Sequence, residues 1–493
     1  MRAKTVFVKA ENTDAAKKKT KLLCYFVAEK SELPLGFPKV DQKLVNSIKE
    51  AVKETKAKLG SISIIHTHGM MPAQRILVAG LGPRHKITHE SIRITSGKIA
   101  KKTSEIGLDE YSIVIPSELP VNAKTAITAT VEGARLALYS FDKYKKEKKK
   151  LPNLTIISSD NQVSKIAIKA DVSSEGVIYA RSIANLPPNE CNPAQLAGFA
   201  KSLSAKSKLK CTILSKAELK QKGFGGITAV GQGSKNEPKL IILEYNGKKD
   251  KPTILVGKAV TFDTGGISLK PADKMDEMKF DKCGGCTVLG VIKAASELKL
   301  PVNLVGIIPS VENMPGGESY RPGDIIKLYD GKTAEILNTD AEGRLILFDA
   351  LSYGIKTYNP KEIIDFATLT GACIVALGAN VAGLVSNNKK IADKIAKSSQ
   401  NTGEQVWQLP INDDYMEMIK SDYADIRNTG PGRVAGTITA AAFLANAVGN
   451  TPWAHFDIAG TAWVQAGSKE KSYNPKGATG FGVRLMLDYL SSP

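Results

Sequence analysis

This 493-residue chain is short of cysteine, histidine and long apolar runs, and each shortage narrows what the protein does. Six cysteines (Cys24, Cys191, Cys211, Cys283, Cys286 and Cys373), scattered over such a length, cannot build the dense disulfide framework of a small secreted fold, so they read as reduced thiols. No stretch approaches the roughly 20 apolar residues of a membrane helix, and the opening MRAKTVFVKAENTD has no apolar run of signal-peptide length. A cytoplasmic protein with no membrane partner is expected. Only five histidines occur, and none falls in the acidic motifs described below. Acidic residues are also scarce: 49 Asp and Glu face 68 Lys and Arg, for a net charge of +19. The imbalance belongs to residues 1–150, with 29 basic against 15 acidic residues, whereas 151–493 hold 39 against 34. Such a basic region can attract nucleic acid or another polyanion. No nucleic-acid motif or aromatic interleaving accompanies it, so solvated lysines are the preferred reading, with a nucleic-acid-binding or bifunctional protein as the alternative.

What is present is ordinary globular material, 42% hydrophobic and 24% charged, and too long for one core. Strand-like Thr5–Val8, Leu22–Val27, Arg75–Leu81 and Ser112–Pro116 alternate with helix-like Val45–Leu59 and Ile92–Ile106, which indicates an α/β domain. A helix over EGARLALYSFDKYKKEKKK is expected to close it. From Glu175 another helix leads into short apolar runs at 211–214, 240–244, 253–256, 302–309, 363–368 and 454–458, separated by helix-length segments such as 287–298 and 345–357. That is the rhythm of a mostly parallel sheet flanked by helices, with ligand sites at the carboxyl ends of strands. The expected division is a smaller, basic α/β domain over 1–160 and a larger domain over 161–493.

The chemistry gathers at such strand ends. VGKAVTFDTGGISLKPADKMDEMKFDKCGG (256–285) carries Lys258, Asp263, Lys270 and Asp281, and NTDAEGRL (338–345) adds Asp340, Glu342 and Arg344. In an extended stretch, alternation would turn Asp340, Glu342 and Arg344 into one crevice. Crowded carboxylates repel unless cations join them, and bridging carboxylates are how a two-metal hydrolytic site is built. Taken singly, each acid is better explained as a cap or a solvated charge than as a ligand. The joint pattern of acids, preceding apolar strands, glycines at 265, 266, 284 and 285 and a following apolar helix brings a dinuclear site level with that reading.

These segments resemble the leucyl aminopeptidase, or cytosol aminopeptidase, family. NTDAEGRL stands in the form of that family's octapeptide, and the GK-x3-FD-x-GG-x4-KP arrangement at 257–271 looks like its metal loop. RSIANLPPNECNP (181–193), VGQGS (230–234), DFATLTGA (365–372), DIRNTG with GTITAAAFL (425–444) and WAHFDIAGTAW (453–463) are similar too. The likeness is dense from about 175 onward and thinner before. It implies one metal held by Lys258, Asp263, Asp281 and Glu342, and another by Asp263, Asp340 and Glu342 together with the Asp340 carbonyl. The ions would be Zn, Mn or Mg, and the lysine would ligate as a neutral amine. It further implies an oxyanion-stabilising Lys270, an Arg344 that anchors bicarbonate as general base, and a pocket for the first side chain at Met278, Thr368 and Gly371. Peptides with a free amino terminus and a Leu-like or Met-like first residue are the implied substrates, and two stacked trimers the implied assembly.

Some positions depart from the family's usual pattern. Ala259 stands where glycine is usual, Lys282 where methionine is usual, and Gly285 and Cys286 where alanines are. Lys282 is expected to point to solvent. Cys283-Gly-Gly-Cys286 has a redox or zinc spacing but no second pair, so packing is the reading preferred. His66-Thr-His68 reads as a strand end, His455 as core, and VGQGS as a turn lacking the Walker lysine. A two-metal phosphoesterase would want phosphate-gripping residues and histidine ligands that are not found here.

Overall fold

In a computed structural model, which describes residues 7–147, 150–207, 209–432, 434–468 and 470–492, the chain forms two compact units. One comprises the residues up to Ile178 with Gln465–Lys476, the other Tyr179–Val464 and the residues from Gly477 on. Both are α/β. No helix among the described residues is long and apolar enough to cross a membrane.

The first unit is a six-stranded sheet of β1 (Val8–Glu11), β2 (Leu23–Val27), β3 (Ile62–His66), β4 (Arg75–Gly80), β5 (Glu110–Val114) and β6 (Asn153–Ile157), in the order β1-β6-β5-β2-β4-β3. Every pairing is parallel except β3 with β4. Period-two alternation explains why β2 reads as one unbroken apolar run. Leu23, Tyr25 and Val27 join the core that includes Leu44, Ile48 and Val52 of α1 (Gln42–Thr55), while Cys24 and Phe26 join the core that includes Ile92 and Ile99 of α2 (His89–Glu105) and Ala126 and Ile127 of α3 (Ala123–Ala137). Thr5 and Val6 of the expected first strand lie outside the described residues. Two expectations fail. Helix α3 stops at Ala137 instead of running into the lysine tail, which offers like charges and no apolar stripe to bury. The next helix, α4 (Val163–Ala184), begins well before Glu175.

The second unit is built on a nine-stranded sheet. Its strands are β7 (Lys210–Leu214), β8 (Lys239–Asn246), β9 (Thr253–Gly257), β10 (Ala259–Asp263), β11 (Asn303–Asn313), β14 (Glu362–Ala367), β15 (Val381–Ser386), β16 (Gln405–Gln408) and β18 (Trp453–Asp457), in the order β16-β15-β18-β14-β9-β11-β8-β7 with β10 alongside β11. Strands β12 (Ile325–Lys327), β13 (Thr333–Glu335) and β17 (Ile426–Arg427) form a separate small sheet. The central run β18-β14-β9-β11 is parallel, so its carboxyl ends open on one side. The helix Cys283–Glu297 meets this sheet closely. A Cβ on Gly284 would lie 2.1 Å from the Phe366 carbonyl oxygen, and one on Gly257 2.5 Å from the Gly284 carbonyl oxygen.

That approach makes a testable claim. Gly284→Ala must push the helix off the strand, and overpacking of this kind costs about 1–3 kcal/mol. Urea denaturation should show a lowered midpoint; an unchanged midpoint would mean that the helix start yields freely.

Candidate active site

Strand β9 is buried along its whole length, and Lys258 follows it directly. Its backbone is fixed on both sides: its N–H donates to the Phe366 carbonyl (3.0 Å) and its carbonyl accepts from Gly285 N–H (2.8 Å). The ammonium sits 2.9 Å from Asp281 Oδ1, 2.8 Å from Glu342 Oε1 and 2.9 Å from the Thr368 carbonyl, with only 3% of the residue exposed. A Cβ on Gly343 would lie 2.6 Å from Lys258 Cε, so glycine there makes room for the lysine.

Asp263 ends β10. Its Oδ1 accepts from Gly265 N–H (2.9 Å) and Asn313 Nδ2 (2.9 Å), and its Oδ2 faces Lys270 Nζ at 3.0 Å. Gly265 and Gly266, at φ +86° and +66°, turn the chain back where a side chain would be strained. Lys270 N–H then donates to the Thr264 carbonyl (2.9 Å), which returns the lysine over Asp263, and its ammonium also pairs with Asp340. Asp281 lies on a 3-10 turn, Met275–Lys282; its Oδ1 accepts from Thr368 Oγ1 (2.6 Å), and its buried Oδ2 has no hydrogen-bond partner.

The expected extended stretch at 340–344 is a turn entering a helix. Asn338 Oδ1 accepts from Asp340 N–H (2.8 Å), Glu342 is the cap residue, and Arg344 falls in the first turn of the helix Gly343–Tyr358. Convergence therefore comes from turn and helix geometry, not from alternation. Ligand oxygens of Asp263, Asp340 and Glu342 all lie within 4.8 Å of one another, while Asp281 joins them through Lys258. Arg344 is buried, with Nη1 donating to the Asn428 carbonyl (2.7 Å) and Nε without a partner. Met278 is half-buried on the 3-10 turn, Thr368 is buried with its hydroxyl committed to Asp281, and Gly371 is exposed with open space at its Cβ position.

Burial and mutual repulsion set the proton affinities. Burial, then Asp263, pushes Glu342 up to about 8, and burial raises Asp281 to about 6 against the opposing pull of Lys258. Burial works against the Lys258 ammonium, but Asp281, Glu342 and Asp263 outweigh it and hold its pKa above the usual lysine range. Lys270 is raised likewise, with Asp263, Glu342 and Asp340 overcoming desolvation. Burial lowers Arg344 to about 10. An oxygen-rich cluster with two lysine amines and an orphaned buried carboxylate oxygen suits hard or borderline divalent cations.

Supporting residues went unseen in the sequence. Asn313, at the end of β11, holds Asp263 and also donates to the Thr339 carbonyl (3.0 Å), which accepts from the Tyr320 hydroxyl (2.7 Å) as well. Asn428 binds the backbone of Leu337 and Asn338. The available signal was a polar Glu-Asn closing the apolar run of β11. Lys282 overturns its expectation: it is fully buried, donating to the carbonyls of Leu186 (3.1 Å) and Lys279. Cys283 and Cys286 are buried, and burial pushes the Cys283 thiol up to about 12, in keeping with packing. His66 ends β3 and His455 is core. VGQGS is only partly a turn, since Val230 and Gly231 complete a short helix.

Comparison with known proteins places this geometry. Residues 178–487 match the catalytic domain of the cytosol aminopeptidase family and 23–148 its N-terminal domain. A probable cytosol aminopeptidase of Cenarchaeum symbiosum (strain A) is 59% identical over 98% of this chain and 99% of its own length. One of Roseiflexus castenholzii is 46% identical over 87% and 89%. Among solved structures, the bottromycin maturation enzyme BotP in complex with Mn superposes with a TM-score of 0.85 at 29% identity, covering 96% of this chain and 99% of that one.

Two outcomes follow from the cluster. Asp281 and Glu342 hold protons more tightly folded than unfolded, so that stability is fully present below the unfolded carboxyl values of 3.8 and 4.5 and is lost as pH rises through about 6 and about 8. A bound cation favours the ionised carboxylates and opposes this loss. Mn²⁺ should therefore raise the thermal midpoint of metal-stripped protein more at pH 8 than at pH 6, and equal shifts would break the link. Asn313→Ala, which frees Asp263, should weaken Mn²⁺ binding about 10–100-fold in calorimetry; wild-type affinity would remove Asn313 from the site.

Proposed function

The chain belongs to the cytosol aminopeptidase family, a family of metal-dependent exopeptidases, and we propose that it removes Leu-like or Met-like first residues from peptides through a two-metal centre. The observation that carries this reading is the meeting of Lys258, Asp263, Lys270, Asp281, Asp340 and Glu342 at one set of strand ends. In the proposal, Lys258, Asp263, Asp281 and Glu342 hold one ion, and Asp263, Asp340 with its carbonyl, and Glu342 the other. Zn, Mn or Mg suits these ligands, and BotP is described as a complex with Mn. Bound there, the ions would supply Lewis acidity and lower the pKa of the attacking water.

The chain's own groups do the rest. Lys270, already poised over Asp263 and Asp340, turns its ammonium to the oxygen of the scissile carbonyl as negative charge builds on it. Arg344 keeps one edge of its guanidinium tied to Asn428 while Nε stays unpaired, which leaves donor capacity for an anion such as bicarbonate to act as base. Met278, Thr368 and Gly371 border the place of the first side chain; Gly371 adds no bulk there and Met278 an adaptable apolar wall. A homohexamer in the cytoplasm completes the proposal, supported by the exposed Ile325, Leu337 and Tyr423 around the small sheet. The alternative of a nucleic-acid-binding protein draws no support from the relatives.

Four variants separate ligands from transition-state groups. Asp263→Ala and Glu342→Ala should lose metal and activity together. Lys270→Ala and Arg344→Ala should keep two ions per chain while kcat falls about 100- to 10,000-fold. Metal analysis and Leu-peptide kinetics on the same preparations decide the matter: an Arg344→Ala protein inactive because it is metal-free would sink the division of roles. Efficient cleavage of an N-acetylated Leu-peptide would sink the exopeptidase specificity.

A further inference from the structure

The lysine excess of the first unit is not spread evenly over its surface. A cavity of about 610 Å³ there is lined by Lys30, Lys49, Lys53, Lys56 and Lys58, with Val52 and Ala57 as apolar parts of the wall and Glu29 and Glu32 as the acidic ones. Glu32 is committed to Lys49 (2.6 Å), and among the described residues Lys30, Lys53, Lys56 and Lys58 make no ion pair. The favourable end of the α1 dipole accounts for Lys53 and Lys56. It does not account for Lys30, which comes from the loop after β2, or for the repulsion of Lys49, Lys53 and Lys56 spaced four and three residues apart.

The cavity is also built rather than incidental. Gly82 ties its two walls together, accepting from Glu29 N–H (3.0 Å) and donating to the Ala57 carbonyl (3.0 Å), while Gly60 N–H donates to the Gly80 carbonyl (2.7 Å). Gly80 admits no side chain, since its Cβ would lie 2.2 Å from the Lys58 carbonyl oxygen. The walls come from the loop after β2 and from the end of α1, and Gly82 holds them beside the carboxyl end of β4. The volume falls in the range of small-molecule sites.

The geometry points to this cavity as a binding site for an oligophosphate-bearing small molecule, independent of the peptidase centre. Four unpaired ammonium groups less Glu29 leave about three positive charges to meet the phosphates. The phosphate chemistry is shared with duplex DNA, so the test carries both.

Equilibrium dialysis of radiolabelled ATP against the metal-loaded enzyme, beside a gel shift on a 20-base-pair duplex, compares wild type with Lys53→Gln/Lys56→Gln. These exposed positions belong to the first unit and none is a proposed ligand, so Leu-peptide turnover and thermal midpoint should stay unchanged. The double variant should bind ATP roughly 2- to 30-fold more weakly, the sum of two exposed charge contacts. Absence of ATP binding to wild type overturns the proposal. Binding equal in the variant places the nucleotide elsewhere, the metal centre included, and overturns it too. Duplex bound more tightly than ATP, and lost in the variant, replaces it with a polynucleotide site.

Discussion

Four carboxylates brought together in a buried place are the constraint on which the catalytic unit turns. Asp263, Asp281 and Glu342 are all nearly sealed from solvent and Asp340 is close by, so water cannot screen their repulsion. The chain answers with two lysines. Lys258 sits between Asp281 and Glu342, and Lys270 between Asp263 and Asp340. Each lysine bridges one pair, but two positive charges among four carboxylates leave Glu342 and Asp281 raised above the usual carboxylate range. Divalent cations held there, as proposed, would relieve that remaining repulsion and favour the ionised carboxylates.

Holding like charges together requires a frame that does not relax, and the fold supplies it in backbone. Lys258 is locked between β14 and the helix start at Cys283, Asp263 between Gly265 and Asn313, and the 338–342 turn by Asn338 and Asn428. Behind the site a further buried carboxylate, Asp457, accepts from Thr370 Oγ1 (2.6 Å), Leu369 N–H (3.2 Å) and Ala459 N–H (3.1 Å), fixing the strand end that presents the Thr368 carbonyl to Lys258. His455 and Asp365 pair beside it at 2.6 Å in full burial. Acid groups thus serve at two depths: Asp457 is satisfied by backbone and hydroxyl donors, whereas Asp281 in the lysine-bridged cluster keeps a buried oxygen without a partner.

Much of this was legible in the sequence because the chemistry sits in short contiguous motifs. The strand runs at 253–256, 302–309, 363–368 and 454–458 were plain from apolar composition bounded by Gly and Asp, and the strands lie where those runs are. What was not legible depends on distant partners. Asn313 matters through a hydrogen bond to a residue 50 positions earlier, and the polar Glu-Asn that closes its apolar run does not reveal that partner. The 340–344 segment misled for a different reason: spacing of two fits a strand face, but Asn338 and the cap at Glu342 impose a turn and a helix start, which gather the same residues otherwise. The tail of α3 misled because a lysine-rich end extends a helical pattern on paper without any surface to bury.

Lys282 shows how far neighbouring context can override residue type. It follows Asp281 on a tight 3-10 turn, where successive side chains diverge by about a third of a circle, so one can face the carboxylate cluster and the next the interior behind it. The interior there offers two carbonyls, of Leu186 and Lys279, and the ammonium takes both while its methylene stem lies in the core. An unpaired buried ammonium would cost several kcal/mol, but hydrogen bonds to carbonyl dipoles together with the negative cluster one residue away offset that cost. A methionine could fill the same volume but would donate to neither carbonyl. The lysine therefore does what an apolar residue cannot: it ties the Asp281 turn to the Leu186 segment, adding one more fixed point to a site whose chemistry depends on keeping like charges close.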